Sequence, residues 1–311
     1  MELLAQSVER NRSDVLLLSG GLDSSILASI LRPMCSVTAG FGSNAPDLVY
    51  ARHIARKYSK KHIEVIFSEE KMLEMVVQII QIFETFDPIE IRNSCVALAG
   101  IKQAKNDGYS KIMTGDGCDE LFAGYNYLAR YYSDLPRLDQ EMHRLWQIMH
   151  FSATRLGQHI GIEIKTPFLD NEFASFAKSI SVIKKIGEHA GQSFGKFILR
   201  KCFEAELGSI VWRHKLAQEQ GAATDRYASY VENMIDDLTF ANRAKTAERE
   251  GVRIRNKEHL HYYAIFRSYF PPPREERNAC ESYCPECSGC MPVGIRFCKI
   301  CGAFPVTSKS L

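Results

Sequence analysis

The chain has 311 residues, 45% hydrophobic and 24% charged, enough to bury a large core in one main body with an appendage. Its net charge of +2 gives no steer toward nucleic acid, and its basic residues are dispersed, paired only briefly as at Lys60-Lys61 and Lys184-Lys185. No apolar run approaches the roughly eighteen residues of a membrane span, and residues 1–12 lack the apolar stretch of a signal peptide, so a cytoplasmic protein is expected.

Val15–Leu18 is short and β-branched enough for a buried parallel strand, and Ile26–Leu31 reads as a helix. Between them lies Ser19-Gly20-Gly21-Leu22-Asp23-Ser24-Ser25. Gly20 and Gly21 let backbone approach a charged oxygen closely, and the amides of the helix start point at it. Asp23 would repel bare phosphate there and makes sense with a bridging divalent cation. The turn carries no lysine, so a phosphate-binding lysine has to come from elsewhere. An ordinary glycine-rich turn is the competing reading of these seven residues alone.

Cys35–Ala39 and Ile63–Phe67 read as further strands, with helices over Asp47–Tyr58, Glu69–Phe83 and Ser94–Lys105. Lys111-Ile112-Met113 is another strand. This alternation predicts an α/β fold with a doubly wound parallel sheet, whose ligands sit beyond the carboxyl ends of the strands. Thr114-Gly115-Asp116-Gly117-Cys118-Asp119-Glu120 falls at such an end. Three carboxylates so close are costly unless they bind a cation or react. Helix-dipole complementarity accounts for Asp119 and Glu120 but leaves Asp116 unexplained.

From Leu138 onward the pattern is helical, with no further strands expected. Pro271-Pro272-Pro273 ends the body, and Arg274–Arg277 reads as a charged linker. The expected domains are 1–270, with a sheet part about 13–125 and a helical part about 126–270, then a linker at 271–279 and a tail domain at 280–311. Six of the ten cysteines crowd that tail, which in a cytosolic chain means metal rather than a disulfide framework. Cys284-x2-Cys287 and Cys298-x2-Cys301 are spaced for one tetrahedral Zn²⁺, and the tail resembles a zinc ribbon. Four cysteines leave no open coordination position, so the zinc would be structural. Cys280 and Cys290 fall outside the pairs, and Cys290 could compete for the metal.

The Ser19–Ser25 stretch resembles the pyrophosphate loop of the ATP pyrophosphatase superfamily. Thr114–Tyr125 is similar to the S-G-(D/E)-G-x-D-E-x-F-x-G-Y signature of asparagine synthetases and their relatives. Further likenesses are Phe41-Gly42-Ser43 through Ala51, Ile91-Arg92-Asn93-Ser94, and Gly161–Asp170 with Lys165 where arginine is usual. Lys196-Phe197-Ile198-Leu199-Arg200 and Trp212-Arg213-His214-Lys215 complete the set.

The resemblance implies an ATP-dependent, amide-forming ligase. A substrate carboxylate attacks the α-phosphorus of ATP, and ammonia or another amine displaces AMP. Asp23 and Asp119 would hold Mg²⁺ on the pyrophosphate, and Asp116 would lie beside the reacting carboxyl group, with Glu120 supporting the site. Lys196 and Lys215 would neutralise phosphate charge. Ser19, Gly20, Gly21, Leu22, Ser24, Ser25 and Gly115 would contact ATP, with Gly42 near the adenosine and Arg92 near the acyl-adenylate. Relatives carry an N-terminal glutaminase domain, expected to be absent here because the first strand begins by Val15. Ammonia would then come from solution or a separate amidotransferase. The departure of Leu156–Ile160 from the family's run leaves the carboxylate unspecified. RNA modification, with the ribbon on RNA, and a non-catalytic scaffold using the ribbon to dock a protein are the alternatives.

Overall fold

The computed structural model describes residues 1–275 and 280–310. Residues 276–279, the end of the expected linker, and Leu311 lie outside the described residues. The chain gathers into two compact units, Met1–Ile66 with Ala97–Ala222, and Phe67–Val96 with Ala223–Leu311.

The expected alternation is present. In chain order it runs α1 (Glu2–Arg10), β1 (Val15–Leu17), α2 (Leu22–Leu31), β2 (Cys35–Phe41), α3 (Pro46–Tyr58), β3 (Lys61–Phe67), α4 (Glu69–Phe83), α5 (Pro88–Asn106) and β4 (Lys111–Met113). Then come α6 (Cys118–Leu121), α7 (Leu135–Ile148), α8 (Ser152–Ile160), β5 (Glu163–Lys165), α9 (Asn171–Ser179), α10 (Val182–Lys185), a hairpin of β6 (Ile186–His189) and β7 (Gln192–Gly195), and α11 (Phe197–Leu207).

The five-stranded sheet has the order β3-β2-β1-β4-β5, with β1 parallel to β2 and β4, and β4 parallel to β5. Every residue of β2 is buried, as in a strand covered on both faces. The winding reverses between β1 and β4, which opens a crevice beyond their carboxyl ends. Leu16, Leu18, Ile26 and Leu27 share one buried cluster with Met113, Leu121, Phe122, Phe168 and Phe203. Pro46, with its φ already fixed, opens α3, and the Ser68 hydroxyl caps α4 by accepting from the Lys71 amide.

The structure departs from the sequence expectation at several places, among them the unannounced α1. Helix α2 starts at Leu22 rather than Ile26, so Asp23 sits in its first turn. Helix α5 starts at Pro88, ahead of Ser94. Strand β5 and the β6–β7 hairpin lie where only helix was expected; each is three or four residues long, and β5 carries Glu163 and Lys165 around a single apolar residue. Such a sheet-edge strand has no apolar run to betray it.

The second unit holds α4, the start of α5, and α12 (Tyr227–Met234), α13 (Asp237–Arg249) and α14 (Lys257–Arg267), together with the tail. Tyr262, Tyr263 and Phe266 are buried and Tyr269 is exposed. Buried Phe86 lies 5.0–5.2 Å from the rings of His259, Tyr263 and Phe266. Its amide donates to Ile300 O at 2.8 Å, and the Thr85 hydroxyl donates to Lys299 O at 2.7 Å, so the tail is docked through backbone. In the tail, Ser282–Tyr283 pairs antiparallel with Lys309–Ser310. Cys280 and Cys290 form a disulfide, Cα atoms 5.6 Å apart, so Cys290 stands apart from the four clustered cysteines. Among the described residues no helix is long and apolar enough to cross a membrane.

Candidate active site

The turn after β1 is knitted by its own hydroxyls. The Ser19 amide donates to Ser24 Oγ and the Gly21 amide to Ser19 Oγ, both at 3.2 Å. Gly20 has φ +70°, and a Cβ there would come within 2.5 Å of the Ala51 backbone nitrogen, so only glycine lets the turn lie on α3. Gly21 is the N-cap of α2 and leaves the first-turn amides of Leu22, Asp23 and Ser24 without a side-chain cap. Ser25 is buried, its amide bonded to Gly21 O.

The loop after β4 meets this turn directly: a Cβ on Gly115 would stand 3.2 Å from the Asp23 Cβ. Asp119, in the first turn of α6, and Asp23 converge on one ammonium, that of Lys196. Lys196 Nζ lies 2.6 and 2.7 Å from the two Asp23 oxygens and 2.7 Å from Asp119 Oδ1. Lys215 pairs with the other Asp119 oxygen and stands 4.9 Å from the Tyr125 ring centre. Lys196 precedes α11 with a left-handed φ of +56°, its amide donating to Phe122 O at 2.8 Å. Its side chain threads past Gly124, where a Cβ would meet Asp119 Oδ1 and Lys196 Cε at 2.1 Å. Burial opposes ionising either partner, but the Lys196 and Lys215 ammoniums hold the Asp119 carboxyl well below its usual range. Asp119 and Asp23 likewise keep buried Lys196 protonated.

The other two acids behave oppositely. Burial, helped by the charges of Asp23 and Asp119, pushes Asp116 up to about 6 against a 2.9 Å hydrogen bond from the Thr114 hydroxyl. Burial and then the Asp119 charge also raise the Glu120 carboxyl, which accepts from the Tyr125 hydroxyl. Trp146 Nε1 donates to Glu120 O at 2.9 Å and fixes that turn from behind. Within one turn, Asp119 is thus held low by two ammoniums while burial raises Asp116 and Glu120.

Arg213 is a residue that sequence reasoning quoted within a motif and gave no role. Its guanidinium donates to Gly20 O at 3.1 Å and Asp47 Oδ1 at 3.0 Å, and stacks 3.6 Å from the Tyr50 ring centre. The signal was its place two residues before Lys215. It ties the turn after β1 to the start of α3. Gly42 ends β2 with φ +72°. Arg92 lies in the second unit, where Nη1 meets both Glu258 oxygens at 2.7 and 2.9 Å.

In the tail, Cys284, Cys287, Cys298 and Cys301 are all buried, with sulfurs within 4.8 Å of one another. The Cys287–Cys298 and Cys284–Cys301 sulfurs are 3.7 and 3.9 Å apart. A tetrahedron of Zn–S bonds about 2.3 Å long has edges of about 3.8 Å, so the donors fit zinc.

The family model described as asparagine synthase matches residues 1–150 and 132–279. Asparagine synthetase [glutamine-hydrolyzing] of Gallus gallus is 30% identical over 82% of this chain and 48% of its own length. Asparagine synthetase B [glutamine-hydrolyzing] of Escherichia coli (strain K12) is 27% identical over 83% and 50%. The chain thus spans about half the length of the curated relatives it matches. A solved chain, the predicted subunit of a tRNA methyltransferase from Methanocaldococcus jannaschii DSM, covers 61% of this chain and 87% of its own at 16% identity. Its TM-score of 0.28 is too low to bear on fold or function. With the family model spread over both its halves, the chain belongs to the asparagine synthase family.

Proposed function

We propose that the protein is an AMP-forming ligase that adenylates a small carboxylate and transfers the acyl group to ammonia or another amine. The observation that supports this reading is the convergence of Asp23 and Asp119 on the Lys196 ammonium, with Lys215 on the second Asp119 oxygen. One or two carboxylates together with phosphate oxygens are the donor set that Mg²⁺ takes in nucleotide sites. When bound, that ion would neutralise charge on the departing pyrophosphate.

The chain's own residues do the rest by placement and charge. The α2 amides and Gly20–Gly21 backbone receive phosphate oxygens. Lys215, poised at the rim, and Lys196 offset the charge that builds as pyrophosphate leaves. Asp116, already inclined to hold a proton, can lie beside an incoming carboxylate without repelling it as an ionised acid would. Arg213 and Asp47 keep the turn after β1 in place while this happens. The amine comes from solution or from a separate donor protein. The four tail cysteines hold a structural zinc.

ATP–pyrophosphate exchange screened over carboxylates, aspartate first, tests this reading. Exchange should appear with one of them and fall by on the order of 10²-fold or more in Asp119→Asn, which keeps the shape and removes the charge. Undiminished exchange in that variant would defeat the assignment.

A further inference from the structure

The Lys196 ammonium stands where a shared cation would stand, within 2.7 Å of three oxygens of Asp23 and Asp119. We propose that Lys196 is a place-holder for the divalent ion, so that the metal enters this seat together with ATP and not before it. This rests on the ligase reading and adds an order of binding to it.

Three features support a movable ammonium on a fixed stem. The backbone of Lys196 is pinned, by its amide to Phe122 O and by the start of α11 that follows it. Gly124 leaves the side chain its passage: a Cβ there would come within 2.1 Å of Lys196 Cε. Beyond Cβ only rotatable methylenes carry the charge, so Nζ can swing without disturbing the fold. The charges set the order. Asp23 and Asp119 are already offset by the Lys196 and Lys215 ammoniums, and a bare dication entering would face both. A triphosphate arriving on the α2 amides brings several negative charges. Both lysines then gain anionic partners, and the two carboxylates are released to the metal. A clamp serving only to tie α2 to α6 would have no such dependence on nucleotide.

Mn²⁺ is the probe, added to the full-length, zinc-loaded protein with and without α,β-methylene-ATP, and free Mn²⁺ is read by electron paramagnetic resonance. The wild type should bind Mn²⁺ well with nucleotide and poorly alone. Lys196→Met should bind Mn²⁺ alone about tenfold or more tighter than the wild type does. Lys196→Arg, which keeps the charge, should stay weak, and adding Asp119→Asn to Lys196→Met should abolish the gain. The proposal is overturned if folded Lys196→Met gains no affinity, or if the wild type takes Mn²⁺ equally well alone. It is also overturned if Lys196→Met and Lys196→Gln both fail to fold, because the ammonium is then a structural clamp. A wild type that ignores Mn²⁺ even with nucleotide would instead sink the ligase reading itself.

Discussion

Asp116 and Asp119 are three residues apart and are pushed in opposite directions. Asp119 has two lysines on its oxygens, whereas Asp116 has one hydroxyl and two neighbouring carboxylates. For Asp116 the folded value is about 6 against an ordinary 3.8, so between those pH values the folded chain keeps a proton that the unfolded chain has released. Its contribution to stability therefore declines as pH rises through that window and is flat above it. Asp116→Asn removes the decline. In urea unfolding of nucleotide-free protein, the variant should gain about 1–2 kcal/mol over wild type at pH 7.5, after discounting for solvent contact, and little at pH 4. An equal difference at both pH values would refute the assignment. The residue types at this site were legible in the sequence. Their division of labour was not, because it depends on which carboxylate the distant lysines reach.

The elements differ in how plainly they announced themselves. Strand β2 was readable, and so were α3, opened by Pro46, and α4. Strand β5 was not, since a register of Lys111↔Glu163 and Ile112↔Ile164 supplies its pairing from β4 rather than from its own composition. The seating of the tail was equally hidden. Gly302, at φ +72°, lies so close to Asp87 that a Cβ would come within 2.2 Å of Asp87 Oδ1. Arg255 donates to Cys301 O beside it. Gly302→Ala should keep its zinc yet cost about 1–3 kcal/mol in the second unit, through left-handed strain and the lost fit against Asp87. Thermal unfolding with zinc assayed in parallel checks this; an unchanged midpoint would mean that the knuckle is not seated there.

At the scale of the whole molecule, Asp23, Asp116, Asp119, Lys196 and Lys215 belong to one compact unit and the four zinc-site cysteines to the other. Zinc–thiolate binding is worth roughly 10–16 kcal/mol in small domains, too much for the second unit to lose unnoticed. Cys298→Ser should release the metal and let the Phe86 amide, otherwise bonded to Ile300 O, exchange with solvent. The first unit should still bind ATP, and calorimetry should show two separated transitions. The backbone bonds at Thr85 and Phe86 extend the effect beyond the tail to α4, α5 and α14.

What the sequence determined by itself was the inventory: a glycine turn between strand and helix, acids at a second strand end, and four cysteines at zinc spacing. These are local signals, carried by residue type within a few positions. Tertiary structure decided that Lys196, 173 positions from Asp23, fills the seat between the two aspartates, and that Arg213 braces the first turn while Trp146 braces Glu120. Those partners are set by the parallel register and the reversal of winding between β1 and β4, which bring distant chain to one crevice and which no short stretch encodes.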